Sequence, residues 1–407
     1  MDSPPIPGEL LADIFLRLPD PADLVRVSAG CTSFRHLIAD RSFLRRYRRL
    51  HAPPFLGFLD YNRVFHAVVT PHPSASAAGA VALAADFSFS FLPGPASDWA
   101  VQDVCDGRVL LERHPKFEVI FREVVVCDPL HRRYLLLPPI PGDLAESVDS
   151  ALWTKPQTFL APSEDEEEAS FSVISMVQCL TKLFAFAFFS NTGQWRTISS
   201  QSWSNLFAGL PSLSGMTFFS RREYAYGLFY WVASSREKLL VLDSQSMEFS
   251  IVEHPPEARG IPGGDIAIVE AGDGRPGMFV RAEDTNYLNY AIRRNDFGSS
   301  SKWQLDKKIP LDSGYFFLGS MGRHLFLYHC RNPPVDARCF SLDVKTLKLE
   351  RVFLSSFCIT SVHAYSNFPP SLLSTPTVSS GFGNRAENET LEQGFAARSG
   401  AQSARSE

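Results

Sequence analysis

Apolar residues near the start of the chain recur with the period of a helix. Leu10, Leu11, Ile14, Phe15 and Leu18 share one face at that spacing. Pro7 suits a first helical position, Glu9 suits the first turn, and Pro19 stops the segment. Asp20 then reads as an N-cap with Pro21 behind it. Leu24, Val25 and Val27 make a second stripe, and Phe34, Leu37 and Ile38 a third. Asp40 is placed to cap a last helix on which Phe43 and Tyr47, four apart, lie together. Short helices over about 45 residues bury little by themselves, so this module is expected to lean on a partner or on the next domain.

Beyond residue 55 the period shortens to that of strands, and a unit repeats. An apolar run ends in Asp, a polar turn follows, and a second apolar run begins. The clearest copies are Val124-Val125-Val126-Cys127-Asp128 to Tyr134, Leu239-Leu240-Val241-Leu242-Asp243 to Phe249, and Cys339-Phe340-Ser341-Leu342-Asp343 to Leu349. Weaker copies turn at Asp86 (after Val81–Ala85), at Asn191 before Trp195, and at Asp296 before Trp303. The six turns recur about every 50 residues, the period of propeller blades. Runs entered through a glycine turn, at Gly107, Gly227, Gly277 and Gly322, precede several of the turns and each reads as an inner strand. One such sheet cannot bury both faces, whereas stacking sheets around an axis does so. The expectation is multidomain, α plus β: a helical domain over 1–50, an all-β propeller-like domain of about six blades over 51–368, and a disordered tail over 369–407. A sandwich is the alternative architecture.

Composition narrows the class. The chain has 407 residues, 45% hydrophobic and 20% charged, which is ordinary for a globular protein. With a net charge of −5, no global field favours nucleic acid. Seven cysteines without a C-x-x-C pair argue against a disulfide framework and a structural zinc site. The first residues carry no basic and apolar leader pattern, and runs such as Leu183–Phe189 are too short to span a bilayer. Cytoplasm or nucleus is the expected compartment, with no membrane partner.

The helical segment resembles an F-box. Pro5-Ile6-Pro7-Gly8-Glu9-Leu10-Leu11-Ala12-Asp13-Ile14-Phe15-Leu16-Arg17-Leu18-Pro19 is similar to its opening, and Asp23–Val27 and Cys31–Ile38 to its middle and end. The repeats, above all Tyr230-Trp231 before Leu239–Asp243, resemble the F-box-associated domains of large plant F-box families. The resemblance implies a substrate-recognition adaptor of a Skp–cullin–F-box ubiquitin ligase, which feeds protein degradation and leaves ubiquitin transfer to other subunits. It implies that Pro7, Leu10, Leu11, Ile14, Leu18, Pro19, Leu24, Val27, Cys31, Phe34, Leu37 and Ile38 meet the Skp-type subunit, and through it the cullin. Phe34 stands where the family usually has Trp, so an aromatic anchor remains without an indole donor. The β domain would hold an unknown target protein.

Other chemistry is weakly signalled. No nucleophile elbow, phosphate loop or dinucleotide fingerprint occurs, and no histidine pair has zinc-finger spacing, so no catalytic residue, cofactor or metal is expected. Asp128, Asp243 and Asp343 are expected to bond their own turns. Trp195, Trp231 and Trp303 are expected in the core. Arg41, Arg45, Arg46, Arg48 and Arg49 read as a solvated helix face rather than a nucleic-acid patch. The competing reading is a propeller-type ligand binder or hydrolase, with the helices only a cap. A central channel with convergent carboxylates and histidine would favour it.

Overall fold

The computed structural model describes residues 7–18, 21–51, 54–114, 119–148, 155–162, 170–208, 218–234, 237–255, 265–282, 285–294, 302–312, 314–329, 337–355 and 362–366. Four helices come first: α1 (Gly8–Phe15), α2 (Pro21–Ser28), α3 (Thr32–Ala39) and α4 (Arg41–Leu50). Pro7 is the N-cap of α1, one position earlier than expected. Cys31 caps α3, its sulfur accepting the Phe34 N–H at 3.4 Å. Asp40 caps α4, accepting from the N–H groups of Ser42 at 2.9 Å and Phe43 at 3.1 Å. Phe15, Leu16, Leu24, Ile38, Phe43 and Tyr47 form the module's own small core. Tyr47 closes it by donating to the Leu18 carbonyl at 2.8 Å. Pro19, Asp20, the acidic run 164–168, Asp296 and the tail 369–407 lie outside the described residues.

The rest is a six-bladed β-propeller. Its first sheet holds β3 (Trp99–Cys105), β4 (Arg108–Arg113), β5 (Val124–Asp128) and β6 (Arg133–Leu136) in that order. The second holds β7 (Gln157–Ala161), β8 (Ser172–Gln178), β9 (Lys182–Phe189) and β10 (Gln194–Ser202). The third holds β11 (Phe219–Ala225), β12 (Leu228–Ala233), β13 (Lys238–Asp243) and β14 (Glu248–Glu253). The fourth holds β15 (Asp265–Gly272), β16 (Arg275–Arg281), β17 (Tyr287–Arg294) and β18 (Lys302–Pro310). The fifth holds β19 (Tyr315–Met321), β20 (His324–His329), β21 (Ala337–Asp343) and β22 (Leu349–Ser355).

The sixth sheet joins the two ends of the β domain. Its order is β2 (Phe65–Ala67), β1 (Phe55–Asp60), β23 (Val362–Ser366), with β1 antiparallel to both neighbours. β3, β7, β11, β15, β19 and β23 are the innermost strands. The glycine-entered runs, read as inner strands, are the second strands of their sheets, one place out from the axis. The type of turn explains the signal: Asp106-Gly107, Tyr226-Gly227 and Asp273-Gly274 all have positive φ, as a tight hairpin from first to second strand requires. In the fourth sheet the turn glycine is Gly274, and Gly277 lies inside β16.

The Asp86 copy of the repeat is also corrected. Val81–Ala84 belongs to a helix, α5 (Ala75–Ala84), which packs on β1 and β2. Its sequence is mostly alanine, the strongest helix former, and that preference prevails over the apolar-run-then-Asp pattern. The other turn aspartates behave as expected. Asp243 Oδ1 accepts from Gln245 N at 2.8 Å and Ser246 N at 3.1 Å, and Asp343 Oδ1 from Lys345 N at 2.8 Å and Thr346 N at 2.9 Å. Asp128 accepts from His131 N at 3.0 Å. Trp195 and Trp231 are buried, and Trp303 packs beside the third-to-fourth sheet core. Trp231 donates to Gln157 Oε1 at 2.8 Å and Trp195 to the Pro138 carbonyl at 2.8 Å, so each ties two sheets together.

Gly57 has no room for a side chain. Its φ is +154°, and a Cβ there would come within 2.3 Å of the His66 carbonyl oxygen. Gly57→Ala is expected to destabilise the sixth sheet by about 1–3 kcal/mol, the scale of overpacking. The readout is a lowered Tm, and an unchanged Tm would mean that β1 and β2 do not approach this closely.

Candidate functional site

Two places collect unusual side chains. The first is the outer face of the helical module. Leu10 is 53% exposed and Ile14 47%, four residues apart on α1. Pro7 and Cys31 are exposed too, while Leu11, Leu18, Val27, Phe34 and Leu37 are half-buried against the module's core. Leu24 and Ile38 are buried within it. Phe34 meets Phe15 edge-on, with ring centres 5.2 Å apart. The twelve residues named from the sequence thus divide, apart from Pro19, between an open rim and a supporting core. Of the arginines, Arg46 pairs with Asp13 at 2.9 Å, which ties α4 to α1.

The second place is the propeller axis. The innermost strands surround a cavity of about 1250 Å³. Four of them leave their ladders by register shifts, at Val101/Asp103, Ser220/Arg222, Glu270/Gly272 and Phe317/Gly319. Such bulges re-aim side chains, here toward the axis. Arg221, at the third-sheet bulge, has φ +46°.

Charges from several sheets interlock there. Asp103 of β3 sits 2.6 Å from Arg222 of β11 and accepts from the Leu160 N–H at 2.8 Å. His363 of β23 lies 3.8 Å from Asp103, and burial, opposed by Asp103 and aided by Arg222, lowers its pKa. The Arg222 guanidinium also lies over the Phe159 ring at 4.4 Å. Glu223 accepts from Arg221 Nε at 2.9 Å and from Ser320 of β19 at 2.7 Å. Tyr226 N donates to Glu270 at 3.2 Å, and the Tyr226 hydroxyl accepts from Gly272 N at 2.9 Å.

Chemically this is a cross-brace between sheets, with the acids already engaged by arginine or backbone donors. Burial first, then Asp106 and Asp103, push the Cys105 thiol well above its usual value, which leaves little thiolate. Among the described residues no group of three or more His, Cys, Asp or Glu is arranged to hold a metal. No helix of the described residues is long and apolar enough to cross a membrane. Asp103, Arg222, Glu223, Ser320 and His363 escaped the sequence reading, because they converge from four strands, β3, β11, β19 and β23, and form no local motif.

Comparison with known proteins adds a family. A model described as F-box-like matches residues 5–50, and one described as F-box protein AT5G49610-like, beta-propeller, matches residues 100–316. No curated protein matches the chain. Solved structures with similar coordinates include a nidogen/laminin complex, at 9% identity over 68% of this chain and 88% of that chain, TM-score 0.36. A puromycin-hydrolysing peptidase of Mycobacterium tuberculosis matches at 12% identity over 64% and 39%, TM-score 0.35. A lectin of Aleuria aurantia matches at 12% over 65% and 78%, TM-score 0.35. Likenesses this distant carry no functional weight.

Proposed function

Because the chain belongs to the F-box proteins with an AT5G49610-like β-propeller, we propose that it is the substrate-recognition adaptor of a Skp–cullin–F-box ubiquitin ligase. The helical module docks the Skp-type subunit, and the propeller holds a target protein for ubiquitination. No residue of the chain performs the transfer; it acts by proximity, raising the concentration of one protein beside another. The observation that carries the reading is the pair Leu10 and Ile14. They stand open, four apart on α1, while Phe15, Leu16, Leu24, Ile38, Phe43 and Tyr47 pack into the module's own core, as an apolar helix face awaiting a groove does.

The test is co-expression of the full chain with a recombinant Skp-type subunit and cullin. A stoichiometric complex supports the adaptor. Free chain in every fraction makes the helices a cap. Ubiquitin appearing on a bound partner separates an adaptor for degradation from a scaffold.

A second reading rests on the axial cavity, where Asp103, Glu223, Glu270 and His363 converge. On that reading the propeller binds a small polar ligand or hydrolyses it. Turnover that persists when the Skp-type subunit is absent, and that Glu223→Gln removes, would favour it.

A further inference from the structure

One stretch of the axial cavity's wall is fastened by a side chain that titrates. Between β2 and α5 the chain forms a strap, Val69–Ser74, of which His72, Pro73 and Ser74 line the cavity. Backbone bonds hold it at both ends. Val69 N donates to the Val352 carbonyl of β22 at 3.0 Å, and Ala75 N to the His72 carbonyl at 3.0 Å. The His72 ring packs edge-on to Phe55 of β1, with ring centres 6.0 Å apart. Ser74 is the N-cap of α5, and its N–H donates to His72 Nδ1 at 3.2 Å.

That last bond requires a neutral imidazole with its lone pair on Nδ1. A proton there turns the acceptor into a donor and sets two N–H groups against each other. Burial favours the neutral ring and lowers the His72 pKa, with Glu350 opposing. A charged ring therefore has another place to go. Glu350 of β22 lines the same cavity and pairs with Lys348 at 2.5 Å, both side chains being exposed. Such a surface bridge is worth little and is easily exchanged.

The other charged groups around His72 leave this choice intact. His324 of β20 is its neighbour, flanked by Arg323 and Asp343, and burial lowers the His324 pKa as well, so it adds no positive charge near neutral pH. His51, which follows α4, lines the cavity with its Nε2 2.7 Å from the Leu16 carbonyl. α5 itself carries no charged side chain.

We propose that the strap Val69–Ser74 is a proton-operated gate on the axial cavity, shut while neutral His72 accepts from Ser74 and released when a proton on Nδ1 turns the ring toward Glu350. Nothing in this gate depends on the adaptor reading; it sets what reaches the cavity and when. The sign follows from linkage. A lowered pKa in the shut state means that the open state takes up the proton more readily. The shut state is thus favoured above the ordinary histidine range and is lost as pH falls through the shut-state value.

Hydrogen exchange of the full chain tests it, compared at about pH 7.5 and about pH 5.5 and corrected for the intrinsic effect of pH on exchange. Amides of the strap and of the first turn of α5 are expected to lose protection several-fold at the lower pH, while those of β12 and β13 keep theirs. His72→Asn supplies an acceptor that does not titrate and should abolish the difference. Glu350→Gln removes the alternative partner and should move the transition to lower pH. Access is read separately, at one pH, from alkylation of Cys105 in the cavity wall. It should be several-fold faster in His72→Ala, which loses the fastening, than in His72→Asn. Equal protection of the strap at the two pH values, a response that survives His72→Asn, or a loss shared by β12 and β13 would overturn the gate. So would a transition that Glu350→Gln leaves in place, or equal alkylation of the two His72 variants.

Discussion

Leu10→Asp combined with Ile14→Asp is expected to abolish co-purification with a Skp-type subunit and to leave the propeller's thermal unfolding unchanged. Both side chains are about half exposed in the free chain, so aspartate at either position meets water and disturbs no core. In a complex the same positions would face an apolar groove. Each replacement then forfeits about 1.5–3 kcal/mol of apolar burial and adds the cost of removing a carboxylate from water. Two such losses exceed 3 kcal/mol together, so affinity should fall by more than about 100-fold. Leu18→Asp would be a poorer probe, because Leu18 packs on the module's core and its carbonyl accepts from Tyr47. The assay is co-elution of the two subunits, with far-UV circular dichroism as the fold control. Normal binding by the double variant would remove α1 from the interface and return the helices to the role of a cap.

Much of this was legible in the sequence because local rules decide it. Helical spacing, capping residues and the order of apolar positions fix the four N-terminal helices. The hairpin signature of apolar run, Asp and polar turn fixes the third and fourth strands of the first, third and fifth sheets, at Asp128, Asp243 and Asp343, since an Asp side chain can satisfy its own turn. All but one of the failures come from distance along the chain. The sixth sheet is closed by β1 and β23, separated by about 300 residues, and the β1–β2 hairpin at Phe55–Ala67 supplies its second and third strands with nothing local to name β23 as the innermost one. The Asp86 signature was a counterfeit, because an alanine-rich helix can also end before an Asp. The Arg222–Asp103–His363 cluster left no trace, since nothing about any one of those residues signals the other two.

That closure makes a sharp expectation about truncation. A chain that begins at Pro54 should fold into a cooperative propeller, whereas one that begins at residue 68 should not. The first loses the helical module, whose core is its own. The second also loses β1, the strand paired with β23, and β2 behind it. Phe55, Leu56, Phe58 and Leu59 are almost fully buried, and Phe58 touches Phe326 and Phe353 of the fifth sheet at ring distances of 4.9 and 5.6 Å. At about 1.5–3 kcal/mol for each such side chain, the four lost contributions approach or exceed the 5–15 kcal/mol by which a folded domain is stable. The exposed flank of β23 would also become an unpaired edge, which invites aggregation. Tyr365, held by its hydrogen bond to the Gly107 carbonyl at 2.9 Å, would still link β23 to the first sheet but with no sheet behind it. Scanning calorimetry of the two chains reads the result. A cooperative transition in the shorter chain would mean that five sheets close the ring unaided. Loss of the transition in the longer one would mean that the propeller depends on the helices, which is what a structural cap, and not a docking module, requires.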